Sequence, residues 1–376
     1  MRLGLVVYGS LDQLSGGYLY DRQVAQALGR RGHAVHPIGL PDRGYFRNLL
    51  SGLAGDVRLR SDLEVLLQDE LCHPSLIAAN RRMRRNGYAG RIIALLHHPL
   101  SAEPRAAWAN RLFRSIERAY FRSVDAILCT SRATREAVRQ LAPAGVTSWA
   151  ALPGRDHLGG GLDEQAIARR ALEQGPLQIL FLGNLIPRKG LDTLLRALAG
   201  LPPERWKLTV AGSAEMAPGY AARLRSLAQQ LGLDGRVRWL GPLSHAELES
   251  LLPRMHLLAV PSRHEGFGIA YLEGMAYGLP CLASASGGAR DLVRDGQNGY
   301  LIPPGDERAL AWRVRQLAED RQRLAEMGRA ARRAWEAHPT WGETAASIEA
   351  YLTNGPADPT EAEGVGRGLH PEEGAP

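Results

Sequence analysis

Short apolar runs recur along the chain, separated by stretches in which apolar residues return every three or four positions. The runs at 3–7, 34–38, 63–67, 92–96, 124–129 and 148–152 have strand length and almost no polar interruption, the mark of strands buried on both faces. Between them lie helical periodicities. One, ending near Arg30, places Leu19, Val24, Ala27 and Leu28 on one face. Another, 105–122, alternates Trp108, Leu112, Ile116 and Tyr120 with Arg111, Arg114, Arg118 and Arg122, and predicts a helix packed on the sheet with its arginines in solvent. A third opens at Thr130-Ser131 and runs to about 141. Residues 43–60 mix arginine with Tyr45, Phe46 and several leucines, and read either as a membrane-touching loop or as a packed surface helix.

The pattern then restarts. Apolar runs at 177–182, 208–211, 237–240, 257–260, 280–283 and 300–302 alternate with helical stretches at 191–199, 220–231, 246–252 and 268–277. Helix 164–172 connects the halves, two helices fill 306–336, and a last one spans about 340–352. Alternating strands and helices, twice over, predict an α/β protein with two parallel sheets. The 376 residues suffice for two such cores. The boundaries read as 1–160 for the first domain, 161–338 for the second, 339–353 for a terminal helix, and 354–376 for a disordered tail rich in Gly, Pro and acids.

Composition narrows the class. At 45% hydrophobic and 23% charged the chain is an ordinary globular protein, and no apolar run approaches the ~18 residues of a membrane span. Residues 1–8 are too short an apolar start for a secretion signal and read as the first strand. The three cysteines, Cys72, Cys129 and Cys281, are far apart and suggest neither a disulfide framework nor a zinc site, so a cytoplasmic location is expected. Charge is uneven: residues 1–160 hold 22 Arg against 13 acids, while the whole chain is +7. The basic half predicts an acidic partner, either a phosphorylated acceptor or peripheral contact with an anionic membrane, rather than nucleic acid.

Candidate chemistry gathers in loops after strands. The stretch 261–280 reads as strand, glycine-bearing loop and open helix start. Gly266 and Gly268 permit close backbone approach, and the amides of Phe267, Gly268 and Ile269 stand where a helix mouth binds anions. Glu265 precedes that mouth and Glu273 lies about a turn beyond it, both within reach of one ligand. A second cradle, 183–190, carries Asn184, Arg188 and Lys189; lysine is informative because only Lys189 and Lys207 occur among 46 basic residues. Gly212 ends the next strand. In the first half, Gly16-Gly17 at a helix start reads as a tight turn or a phosphate approach. The absence of G-x-G-x-x-G there argues against a dinucleotide oxidoreductase. His97 closes the 92–96 strand, where open parallel sheets collect ligands. No metal site is expected, since adjacent histidines point differently and no carboxylate has ligand spacing to His97.

Taken together, E-x7-E at Glu265 and Glu273, the following SASGGARDLVRDGQNGYLIPPGD, GNLIPRKG at 183–190, the Gly16-Gly17 loop with its RGHAV turn, and His97 resemble the retaining glycosyltransferases of family 4, the glycosyltransferase group 1 type. The resemblance covers almost all of residues 1–353. It implies the GT-B fold, with two Rossmann-like parallel-sheet domains facing a central cleft. It also implies acceptor binding by the first domain and nucleotide-sugar binding by the second. Glu273 would then hold ribose hydroxyls and Glu265 the transferred sugar. Lys189, Arg188 and the amides of Phe267, Gly268 and Ile269 would hold the diphosphate, and Gly17 would approach it from the other domain. His97 would contact the sugar near its reacting carbon, and Pro242 and Leu243 would line the base pocket. The last helix would cross back onto the first domain. The expected donor is a UDP- or GDP-linked sugar, with no cofactor and no metal. The acceptor class stays open among glycan, lipid and small metabolite. Many relatives have Arg where this chain has Asn184, with Arg188 nearby as a source of charge. A phosphorylase or synthase of the same fold, or a nucleotide-sugar-binding subunit without turnover, are the rival readings.

Overall fold

The computed structural model describes residues 1–13, 15–103 and 105–354; the predicted tail therefore lies, but for Asn354, outside the described residues. The first half contains β1 (Arg2–Tyr8), β2 (Ala34–Leu40), β3 (Val65–Asp69), β4 (Arg91–Leu96), β5 (Ala126–Cys129) and β6 (Thr147–Ala150), in one parallel sheet of order β2-β1-β3-β4-β5-β6. The second half contains β7 (Leu177–Leu182), β8 (Trp206–Ala211), β9 (Val237–Gly241), β10 (Leu257–Val260), β11 (Cys281–Ser284) and β12 (Gly299–Ile302), in the order β12-β11-β10-β7-β8-β9. Every pairing among the described strands is parallel. The central strands are buried along their whole length: Val65–Asp69, Ala126–Cys129, Leu257–Val260 and Cys281–Ser284 contain buried residues only.

These orders fix where a ligand can sit. In each sheet the chain starts in the interior, builds to one side, then returns to build on the other. The order reverses between β1 and β3 in the first sheet and between β7 and β10 in the second. Connections on the two sides of such a switch point diverge and leave a crevice at the carboxyl ends of the strands. The segments at these points are 9–13 with 15–17 and 69–70 in one sheet, and 183–190 and 261–268 in the other.

Most predicted elements form within one or two residues of their expected ends, and three expectations change. The strand read at 63–67 forms at Val65–Asp69, so the polar Gln68 and Asp69 are inside the sheet and buried. Residues 43–60 contain a helix, Tyr45–Ala54, which seats Asn48 and Gly52 and leaves Phe46, Leu50 and Leu53 in solvent. Helix Ala107–Phe121 is buried only in its final turns. Glu117, Tyr120 and Phe121 are buried, while Trp108 and Leu112, expected on the sheet side, are exposed. The periodicity was real, but only half of the apolar stripe finds a partner.

Helix Glu164–Leu172 follows the connection and anchors on the second half, where Arg170 donates to the carbonyls of Tyr277 and Gly278 at 2.9 Å each. Helix Trp341–Asn354 returns to the first half. Thr344 Oγ1 donates to the Leu152 carbonyl at 2.8 Å, Tyr351 stacks on Trp149, and Trp341 meets Tyr20 edge-on.

Candidate functional site

The second-sheet wall of the cleft is built around Glu265. β10 ends at Val260, the loop runs from Pro261 to Gly268, and helix Ile269–Ala276 begins. Gly268 has φ of 99°, and a Cβ there would fall 2.3 Å from the Tyr271 ring, so this capping position is restricted to glycine. No side chain caps the helix, which leaves its first amides directed at the cleft. The following Gly287-Gly288 turn locks the loop from behind. Gly288 N donates to the Glu265 carbonyl at 2.8 Å, and a Cβ at Gly287 or Gly288 would fall 2.0 Å from the carbonyl oxygen of Glu265 or Gly266.

Glu265 is buried and accepts from Lys189 Nζ at 2.8 Å and Ser262 Oγ at 2.9 Å, with Arg188 at 3.9 Å. Burial works against the carboxylate, yet Lys189 and Arg188 overcome it and hold Glu265 at about 2. Burial acts the same way on Lys189 and lowers its pKa, against the pull of Glu265. The two sequence cradles thus converge: the Lys189 of 183–190 is the counterion of the Glu265 of 261–280. Arg188 also converges, donating to the His264 carbonyl at 3.1 Å and lying 3.9 Å from Glu103 of the first half. Asn184 sits at the rim with Nδ2 3.2 Å from Met216 Sδ. Gly212 allows β8 to close on the cradle, since a Cβ there would fall 2.0 Å from the Gly183 carbonyl oxygen.

Glu273 points elsewhere. Its Oε1 lies 3.0 Å from Nε2 of His157, in the connection between the halves. Sequence reasoning missed His157, since nothing in its local pattern marks it. The turn carrying Pro242 and Leu243 runs into His245, whose ring centroid is 6.3 Å from that of His157. Glu273, His157 and His245 therefore form a second group beside the Glu265 cradle.

The facing wall comes from the first sheet. Helix Gly16–Arg30 opens toward the cleft with Ser15 as its cap, and a Cβ at Gly16 would lie 4.0 Å from Ile269 Cδ1. His97 sits just past β4 and directly beneath Gly17, where a Cβ would lie 3.2 Å from its Cδ2. The His97 carbonyl meets Gly266, where a Cβ would fall 2.8 Å from that oxygen. Glu70 accepts from the backbone amides of His97 at 2.6 Å and His98 at 2.7 Å and pins this strand end.

His97 does have carboxylate partners: Asp21 Oδ1 and Asp69 Oδ2 lie 3.3 and 3.2 Å from its Nε2. They come from helix Gly16–Arg30 and the end of β3, so no spacing along the chain reveals them. These three residues could together hold a metal ion.

The arrangement offers a buried cation and a helix mouth for an anion, two carboxylates for hydroxyls, and a histidine opposite. Residues 163–334 match the family described as glycosyl transferases group 1. Among similar curated proteins is the D-inositol 3-phosphate glycosyltransferase of Streptomyces avermitilis, 37% identical over 192 residues, covering 49% of this chain and 41% of that one. The Nocardioides protein of the same name is 38% identical over 176 residues, covering 43% and 38%. The chain thus spans well under half the length of the curated relatives it matches. The sucrose-phosphate synthase of Thermosynechococcus elongatus has a similar structure, with TM-score 0.79, 21% identity, and coverage of 94% of this chain and 98% of that one. Anabaena HepE in complex with UDP-glucose aligns with TM-score 0.73 and 19% identity, over 94% and 100%. The chain therefore has the GT-B fold, and its residues 163–334 carry the glycosyl transferases group 1 pattern.

Proposed function

We propose that the chain is a glycosyltransferase that moves a sugar from a nucleotide-diphosphate sugar to a hydroxyl acceptor, with retention of configuration and without a metal ion. The observation that carries this reading is the meeting of the Lys189–Glu265 cradle and the uncapped helix mouth at Gly268 with Gly17 and His97 across one cleft. Lys189, Arg188 and the amides of Phe267, Gly268 and Ile269 bind the diphosphate and stabilise its charge as it departs. Glu265 orients the transferred sugar. Glu273, with His157, holds the ribose, and the Pro242-Leu243 turn lies along the base. His97 faces the sugar from the other wall. A fixed cation and oriented amides can do the work of a metal on the leaving group, which supports metal independence. The UDP and UDP-glucose bound in HepE support a nucleotide-sugar donor; UDP- and GDP-linked sugars are the donors proposed. Retention rests on the E-x7-E resemblance.

Incubation with UDP-, GDP- and ADP-sugars and an acceptor extract tests the reading. Release of a nucleoside diphosphate that survives EDTA, with an NMR-defined anomer matching the donor, is expected. Release of inorganic phosphate would indicate the phosphorylase reading. Binding with neither transfer nor slow hydrolysis would indicate a non-catalytic subunit.

We further propose that the chain is cytoplasmic and touches an anionic membrane peripherally. None of the described helices is long and apolar enough to cross one. Phe46, Leu50 and Leu53 on helix Tyr45–Ala54 and Trp108 and Leu112 on helix Ala107–Phe121 are exposed, and the two helices meet through Tyr45 and Phe113. Arg43, Arg47, Arg111 and Arg114 lie on or beside them. Exposed apolar side chains among arginines suit a lipid headgroup layer. Sedimentation with anionic but not neutral liposomes, lost at high salt, is expected; indifference to lipid charge would favour a soluble acceptor.

A further inference from the structure

Helix Ile269–Ala276 is fixed from its far end. It has only eight residues, with Gly274 inside and left-handed glycines, Gly268 and Gly278, just beyond its two ends, so its own turns hold it weakly. Its first turn carries no side-chain cap. At the other end the amides of Tyr277 and Leu279 return to the Gly274 carbonyl, and that of Gly278 to Met275. Three further carbonyls are taken by arginines. Arg170 donates to those of Tyr277 and Gly278 at 2.9 Å each, and Arg332 donates to that of Ala276 at 2.6 Å. Arg170 is 6% exposed, its Nε has no acceptor, and no described carboxylate forms an ion pair with it. Burial lowers its pKa to about 10, which leaves it a cation at neutral pH. A buried charge without a counterion is costly. The negative end of the helix is what compensates it here.

We propose that Arg170 and Arg332 are positioning residues that hold the Gly268 mouth ready for a diphosphate by anchoring the opposite end of helix Ile269–Ala276. The identity of the anion rests on the proposed function; the anchoring does not. At 1.5 Å per residue the helix is about 12 Å long, so neither guanidinium touches an anion at the mouth. Each acts through the helix. Their charges neutralise the carbonyl end, whose field otherwise opposes an anion at the amide end. Their hydrogen bonds also fix the axis along which the free amides point. Both side chains come from outside the cleft. Arg170 belongs to helix Glu164–Leu172, which follows the first chain crossing between the halves, and Arg332 to helix Arg321–Glu336, which precedes the second. Arg332 is itself held, by Glu336 at 2.8 Å and over the Trp335 ring at 4.4 Å from its centroid. The same helix end rests on the first crossing. Tyr277 Oη donates to the Gly159 carbonyl at 3.0 Å, and a Cβ at Gly161 would fall 2.4 Å from the Ala276 oxygen.

The test compares binding of the tightest nucleoside diphosphate among UDP, GDP and ADP with binding of its parent nucleoside, well below the unfolding midpoint. Arg332→Met and Arg170→Met should each weaken the diphosphate about five-fold, the scale of one charge at a helix end, and leave the nucleoside within about two-fold. Arg170→Lys, which keeps the charge and one hydrogen bond, should recover part of the loss. Hydrogen–deuterium exchange in the free protein should quicken at 268–271 in both Met variants and stay unchanged at 183–190. A merely structural loss would lower the unfolding midpoint and weaken both ligands alike or neither. Equal weakening of diphosphate and nucleoside, an unchanged diphosphate affinity, or unchanged exchange at 268–271 would each overturn the proposal. If Arg170→Met fails to fold, Arg332→Met and Arg170→Lys decide. If the wild type binds no nucleoside diphosphate, the proposed function fails, and the exchange measurement alone decides whether the arginines anchor the helix.

Discussion

Replacing Lys189 by methionine removes the cation but keeps most of its stem. At 2.8 Å and an effective dielectric of about 20, the attraction between Lys189 and Glu265 is about 6 kcal/mol before desolvation. Breaking a buried pair by deleting one partner costs about 3–5 kcal/mol, because the remaining charge stays buried. Ser262 still donates to Glu265 and Arg188 remains 3.9 Å away, so the lower end, about 3 kcal/mol, is expected. The double variant Lys189→Met/Glu265→Gln leaves no orphan charge. It should be more stable than Lys189→Met alone, with a coupling of about 2 kcal/mol in a double-mutant cycle. Urea unfolding followed by fluorescence of the seven tryptophans provides the measurement. Both single variants should also lose most turnover if the proposed function holds, as neither leaves the Lys189–Glu265 cradle intact. A cost below about 1 kcal/mol, or strict additivity, would refute the claim that this pair organises the wall.

Other consequences follow from single contacts. Gly17→Ala puts a Cβ 3.2 Å from His97 Cδ2, so turnover should fall about ten-fold while the unfolding midpoint barely moves; unaltered turnover would mean that the two do not form one wall. Glu273→Ala removes the 3.0 Å contact to His157 and should raise donor KM more than it lowers kcat; the reverse split would move Glu273 to the reacting end. His256 accepts from the Gln178 amide at 3.0 Å, and burial together with Arg321 and Arg170 lowers its pKa to about 4. The unfolded chain takes up that proton near 6.5, so this histidine's contribution is present above 6.5 and lost as pH falls toward 4. Wild type should therefore lose about 3 kcal/mol more between these pH values than His256→Asn; parallel stability curves would refute this.

The sheets were legible because a parallel strand buried on both faces leaves an unbroken apolar run. The cradle loops were legible because glycine, lysine and acid follow those runs directly. Helix Ala107–Phe121 misled, since a periodic stripe does not say how much of it finds a partner: Trp108 sits on the predicted face and remains 72% exposed. The strand at Val65–Asp69 ran two residues later than the apolar pattern, because Gln68 is satisfied inside the sheet by Asn80 at 2.7 Å. The site was half legible. Glu265, Lys189 and His97 stand in recognisable local settings. Asp21, Asp69 and His157 act only through residues 28 to 116 positions away, as the spacings Asp69 to His97 and His157 to Glu273 show. Only the folded chain brings these together.

Hydrogen–deuterium exchange with and without UDP, GDP and ADP tests most directly whether this cleft is the nucleotide-sugar site. The nucleotide that binds should protect 183–190 and 261–273, with weaker protection at 16–21 and 97–98 across the cleft. Protection confined to other segments, or undiminished in Lys189→Met, would contradict the account.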